Sequence, residues 1–226
     1  MIKYLIALLF FALMISCNST AEKEEAASEI PETAITEVET PEIPEGFVEI
    51  DSEEARIATA LMAAPEESRA NCTVIGYNDA DEFVTLKEGT NEFICIADDP
   101  NKKGFNAACY HKDLEPFMAR GRELRNEGKT GGEVFNIREE EAKSGKLDMG
   151  KPGSTLHIYF GPQTLYNPET SEVAEAKYRY VVYLPFATSE STGLPEKPIA
   201  PNHPWIMNPG THRAHIMISP INEKEE

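Results

Sequence analysis

Apolar residues are spread unevenly along this chain, and their spacing divides it into three parts. Residues 4–15 form an unbroken apolar run, residues 18–50 hold few apolar side chains, and from residue 51 onward apolar positions recur with helical or strand periods. Asp51 followed by Glu54 reads as a helix N-cap with a capping-box partner. Ile57, Ala58, Leu61 and Met62 then share one face, and Pro65 ends the segment. Three short β-prone runs follow, Cys72 to Tyr77, Glu82 to Lys87 and Glu92 to Ala97. The turn residues Asn78-Asp79-Ala80-Asp81 and Glu88-Gly89-Thr90-Asn91 separate them, which predicts an antiparallel meander. Asp113 can cap a helix running to about Glu127, with Leu114, Phe117, Met118 and Leu124 as its stripe, Pro116 in its first turn and Gly128 as its stop. Glu133 to Lys143 shows no periodicity strong enough to choose between a helix and a loose excursion, so residues 129–150 stay unassigned. Strands resume at Thr155 to Phe160, Lys177 to Leu184 and Ala214 to Ser219, where β-branched and aromatic residues concentrate. These elements predict an α+β fold over residues 51–226, one domain with a mainly antiparallel central sheet and two or three helices on one face.

The N-terminus carries a different message. Met1-Ile2-Lys3 precedes the apolar run, the charge-then-hydrophobe order of a secretory signal. A run of about twelve apolar residues is too short to span a bilayer, which takes roughly 20. The run closes on Leu13-Met14-Ile15-Ser16-Cys17, which resembles the lipobox of bacterial lipoproteins. The resemblance implies that residues 1–16 are removed and that Cys17 receives a diacylglyceryl group. It also implies that the new amino group is acylated, since stable anchoring takes two lipid signals. Asn18 in place of Asp implies sorting to the outer membrane, and Lys23-Glu24-Glu25 resembles the short Lys-acid-acid tag of surface-exported lipoproteins. The membrane partner is then reached through lipid, on the periplasmic or the cell-surface face. Residues 18–50 hold ten Glu, one Lys and the prolines Pro31, Pro41 and Pro44. They read, with Cys17, as a lipidated N-terminus and acidic disordered stalk.

Charge narrows the choice of partners. The formal net charge is −18; the signal carries +1 and the stalk −9, leaving −10 for residues 51–226. Such a domain repels phosphate backbones and anionic headgroups, which argues against nucleic acid as a partner.

Of the four cysteines, Cys17 is assigned to lipid, leaving Cys72, Cys95 and Cys109 in an oxidising compartment. In a meander, Cys72 and Cys95 fall on the first and third strands with another between. Cys95 and Cys109 flank a short loop containing Pro100 and Gly104 and are the expected disulfide, with Cys72 as a small core residue. A redox-active thiol is the alternative, without a Cys-x-x-Cys spacing to support it. Lys87-Glu88-Gly89-Thr90-Asn91-Glu92-Phe93-Ile94-Cys95, followed by Asp98, Pro100, Gly104 and Cys109, resembles a family of exported bacterial proteins of uncharacterised activity. Its members share a Gly-Thr-Asn turn and two cysteines around an Asp/Pro/Gly loop. The likeness covers roughly residues 72 to 120, with an echo at His215-Ile216-Met217; His111 stands where that family has an acidic residue. It implies an exported fold with a disulfide, and no reaction or cofactor.

Candidate chemistry is sparse. Among five histidines, His203, His212 and His215 crowd near the end and are candidate zinc or copper ligands, with His157 able to join from a neighbouring strand. An odd offset on one strand would point His212 and His215 to opposite faces. Asp79, Asp81, Asp98 and Asp99 offer paired carboxylates, but Asx residues also make turns, and neither pair follows a calcium-loop spacing. No Gly-x-Ser-x-Gly elbow or phosphate-cradling glycine loop is present, so no catalytic residue is nominated. Tyr178 and Tyr180 alternate along one strand, and Trp205 lies in a proline-rich loop; together they are candidate lining for a ligand groove. The leading expectation is a membrane-anchored envelope lipoprotein acting as a non-catalytic binding module for an envelope protein or ligand. The alternative is an envelope hydrolase or metal-binding protein using His203, His212 and His215.

Overall fold

The computed structural model describes residues 43–218; Cys17, the signal and most of the acidic segment lie outside that range. The fold is α+β, built on one eight-stranded sheet. Its strands are Thr73–Tyr77 (β2), Phe83–Lys87 (β3), Phe93–Ile96 (β4), Phe105–His111 (β5), Thr155–Gly161 (β6), Lys177–Tyr183 (β8), Trp205–Met207 (β9) and His215–Ile218 (β10). Val48–Glu49 (β1) and Leu165–Tyr166 (β7) form a separate antiparallel pair. β1 therefore falls inside the segment read as stalk. Ile50 packs against the core and its N–H donates to the Thr164 carbonyl at 2.9 Å, which ties this end of the acidic segment to the domain.

The strand order is β3-β2-β4-β5-β6-β8-β10-β9, and every neighbouring pair is antiparallel except β2 and β4, which run parallel. The meander expectation is corrected here. β3 turns back to the edge of the sheet, and β4 returns on the other side of β2, so that Val74 lies beside Cys95. The Gly-Thr-Asn segment makes that crossing. The Thr90 and Asn91 N–H groups both donate to the Asn71 carbonyl (2.8 and 3.1 Å), and the Asn91 amide donates to the Ser68 carbonyl at 2.8 Å. Asn91 Oδ1 in turn accepts the Phe93 N–H at 2.9 Å, which starts β4. Gly89 passes so close to the head of β2 that a Cβ there would stand 2.2 Å from the Thr73 nitrogen.

Alternation along each strand sorts the side chains onto two faces. On one face Val74, Cys95, Ala107, Cys109 and Tyr159 pack under Glu53–Leu61 (α1). Ser52, one residue later than expected, caps α1 by accepting the Ala55 N–H at 3.2 Å. The small buried residues Ala55, Thr59 and Ala60 let the helix approach the sheet, with Ile57, Leu61 and Met62 on its flanks. On the opposite face Tyr110, Leu156, Val181, Tyr183 and Met217 pack against Leu114 and Phe117. These last two belong to or immediately precede Glu115–Asn126 (α2). Phe117 and Leu114 are almost fully buried, and each such side chain stabilises by about 1.5–3 kcal/mol. Gly128 stops the segment with a positive φ of 80°, as expected of a C-terminal glycine.

The unassigned stretch contains a helix, Gly131–Lys143 (α3), on the same side of the sheet as α2. Two helices thus share one face, while α1 covers the other. A reciprocal capping box starts α3, in which Glu133 Oε2 accepts the Thr130 N–H at 2.9 Å. Its docking on α2 is mainly polar: Arg120 pairs with Glu141 at 2.7 Å, and buried Arg138 donates to the Phe117 carbonyl (3.1 Å) and lies 4.0 Å over the Phe117 ring. A helix held by its cap and by cations shows little apolar stripe. Among the described residues no helix is long and apolar enough to cross a membrane.

Cys95 and Cys109 stand directly opposite each other on β4 and β5, with Cα atoms 4.0 Å apart, and form the disulfide. Cys72 is buried and forms no disulfide among the described residues, its thiol donating to the Ser68 carbonyl at 3.2 Å.

Candidate functional site

The structure separates the residues expected to line an aromatic groove. Tyr178 belongs to the α1 face, where its ring stacks on Tyr159 (4.6 Å) and lies parallel to Tyr180 (6.3 Å). Trp205 lies opposite Met217 and packs with the α2 face. A strand order with β10 between β8 and β9, read with its register, puts the three on two sides of the sheet, so they do not share a groove. Tyr180 instead meets His157 edge-on at 5.4 Å, and His157 meets Phe93 at 6.0 Å.

The three late histidines are committed to different partners. His203 Nδ1 lies 2.7 Å from the Pro204 carbonyl, His215 Nδ1 lies 2.7 Å from the Arg213 carbonyl, and His212 turns toward α3. Among the described residues no three His, Cys, Asp or Glu side chains gather closely enough to hold a metal ion. The candidate carboxylates serve local structure. Asp79 pairs with buried Arg56 at 2.5 Å, Asp81 accepts the Asn101 amide at 2.8 Å, and Asp99 pairs with Lys102 at 2.6 Å.

His212 is fully buried, and its partner, Glu139 on α3, had no signal in the sequence. Glu139 Oε2 accepts the His212 backbone N–H at 2.8 Å and lies 2.5 Å from His212 Nδ1, which must therefore carry the proton. Phe117 and Phe135 wall the imidazole at 5.9 and 4.8 Å, and its Nε2 has no hydrogen-bond partner among the described residues. Burial pushes this imidazole below its ordinary value against the pull of Glu139. Burial would raise the Glu139 carboxyl, but the Lys143 ammonium and the two His212 donors outweigh it and bring it down to about 2. Because the folded carboxyl is depressed, its stabilisation is present above the ordinary glutamate value of 4.5 and is lost as pH falls toward about 2. Glu139→Ala strands two buried donors and should cost about 2–3 kcal/mol at neutral pH. The gap between wild type and variant, followed by urea unfolding across pH, should close in that acid window; a gap independent of pH would show that packing, not charge, holds the turn.

A concave site among the described residues is a cleft of about 560 Å³ on the α2 side of the sheet near its β3 edge. Six segments of the chain converge there. Tyr77 ends β2 and Phe83 begins β3, their rings edge to face at 5.3 Å. Ile96 and Ala108 are floor residues from β4 and β5, and Arg122 and Arg125 come from the second half of α2. The sixth is the loop joining β4 to β5, which contributes Asp98, Asp99, Lys102 and Lys103, while Asn106 adds to this wall from the start of β5. The disulfide ties the strands that bear this loop. Asp98 fastens it from within: the residue is 4% exposed and its Oδ1 accepts the Asn106 N–H at 2.8 Å. Burial pushes the Asp98 carboxyl up to about 6, against the Asn106 and Asp99 N–H groups that favour its charged form. Arg122 is steadied by Glu115 (2.5 Å) and lies 5.7 Å from the Phe83 ring centre. The sequence points to Asp98 and the disulfide loop but not to the cleft. The available signal was Lys102-Lys103 inside a stapled loop together with the arginines of α2.

Comparison with family models, with curated proteins and with solved structures finds no match to this chain.

Proposed function

We propose that this protein is a membrane-anchored envelope lipoprotein whose α+β domain is a non-catalytic binding module, taking its ligand in the cleft beside α2. The supporting observation is the cleft itself. It is ligand-sized, its floor is apolar and its rim polar, and the loop that forms one wall is held by a disulfide and by a buried carboxylate. A rigid loop loses little freedom when a ligand docks, which favours binding. The lipobox-like run supports anchoring through an acylated Cys17 at the outer membrane, and the acidic segment after it supports display away from the lipid surface. The rival hydrolase or metal reading rests on His203, His212 and His215. His212 and Glu139 do form an acid–imidazole pair, but the imidazole is closed off from solvent, where no substrate reaches it.

Two measurements test this reading. Mass spectrometry of the mature N-terminus should find lipid on Cys17; unmodified Cys17, or cleavage elsewhere, ends the anchoring part. For the binding part, envelope-derived small molecules are screened by thermal unfolding of the wild-type chain and of Asn106→Trp, which puts a large ring at an exposed position of the cleft wall. A ligand that stabilises the first and not the second is the expected result. Turnover of that ligand by the protein would replace binding with catalysis.

A further inference from the structure

Resting on the cleft reading, we infer that the ligand is a small organic anion, an acidic headgroup on an apolar or aromatic body. The charge around the cleft runs against the charge of the domain. Residues 51–226 carry a net −10, yet the cleft is lined by Lys102, Lys103, Arg122 and Arg125 against only Asp98 and Asp99.

The two carboxylates are already used. Asp99 is neutralised by Lys102 at 2.6 Å, and Asp98 is turned inward onto the Asn106 N–H at 2.8 Å. Arg122 is matched by Glu115 at 2.5 Å. Two cations have no such match among the described residues: Lys103 makes no ion pair or hydrogen bond, and Arg125 makes a single bond, from Nη1 to the Gly121 carbonyl at 3.0 Å. By contrast Arg120, on the same helix, is paired with Glu123 (2.5 Å) and Glu141 (2.7 Å). An acidic protein has carboxylates to spare, so leaving two cations unpaired beside one concavity gives that concavity an attraction for anions. Beside them lie Phe83, 40% exposed, and the apolar floor of Ile96 and Ala108, which suit a planar or aliphatic body. The volume of about 560 Å³ suits a ligand of drug-like size.

The test uses two probes of one shape, 2-naphthoate and its uncharged counterpart 2-naphthamide, titrated calorimetrically into the full chain. Naphthoate should bind the more tightly, and its affinity should fall with added salt. The exposed double charge reversal K103E/R125E should weaken naphthoate by about tenfold and leave naphthamide unchanged. Phe83→Ala should weaken both. If both probes bind equally and both are lost in Asn106→Trp, the anion inference is overturned while the cleft remains the binding site. If binding is absent, or indifferent to Asn106→Trp, the cleft reading falls with it.

Discussion

Gly89→Ala should cost about 3–4 kcal/mol, among the largest losses available to a single methyl group in this protein. The added Cβ would stand 2.2 Å from the Thr73 nitrogen, 2.3 Å from the Cys72 carbonyl carbon and 2.5 Å from the Asn71 oxygen. All three are backbone atoms at the entry to β2, so no side chain can swing aside to make room. The chain must instead pull the β3–β4 connection off β2, which breaks the Thr90 and Asn91 bonds to Asn71 and loosens the parallel β2–β4 pair. Urea unfolding would read the loss directly. A loss under about 1 kcal/mol would mean that the crossing is held elsewhere, and the structural account of the Gly-Thr-Asn turn would be wrong.

Removing the disulfide should have a comparable effect. Cys95→Ala/Cys109→Ala opens a 14-residue separation, for which restriction of the unfolded chain is worth about 3 kcal/mol. Both sulfurs lie in the core under α1, so some packing is lost as well. The loop between β4 and β5 would also lose its staple, and ligand binding in the cleft should weaken beyond what a loss of global stability explains. Equal urea midpoints for the double variant and the wild type would show that the ladder and Asp98 suffice to hold the loop.

Much of the element plan was legible because each element declares itself locally. α1 has a side-chain cap, both α1 and α2 have apolar stripes and stops, and the strands concentrate β-branched and aromatic residues. The cap expected of Asp113 did not form, because Asp113 lies in the 3-10 turn Lys112–Leu114 and α2 starts after Leu114 without a side-chain cap. α3 was not legible, since Gly131 and Gly132 dilute its helical character, and among its residues only Val134 and Arg138 are buried. Strand order was not legible either. The runs at residues 73, 83 and 93 look alike, and local pattern does not say which side of β2 receives β4. The expected disulfide nevertheless formed, because β4 and β5 pair whichever way β2 and β3 are arranged. The aromatic groove failed on parity across β8, β10 and β9, which depends on a register the sequence does not display. Glu139 and His212 lie 73 residues apart, and the cleft draws on positions from Tyr77 to Asn126. Sites assembled by topology become visible only when the topology is known.

The most direct test of the binding site is amide hydrogen exchange of the full chain with and without 2-naphthoate. Slower exchange should be confined to residues 77–83, 97–106 and 122–126, the three segments that surround the cleft. Slowing centred on Tyr178 and Tyr180, or no slowing anywhere, would contradict the assignment of this cleft as the place where the protein binds.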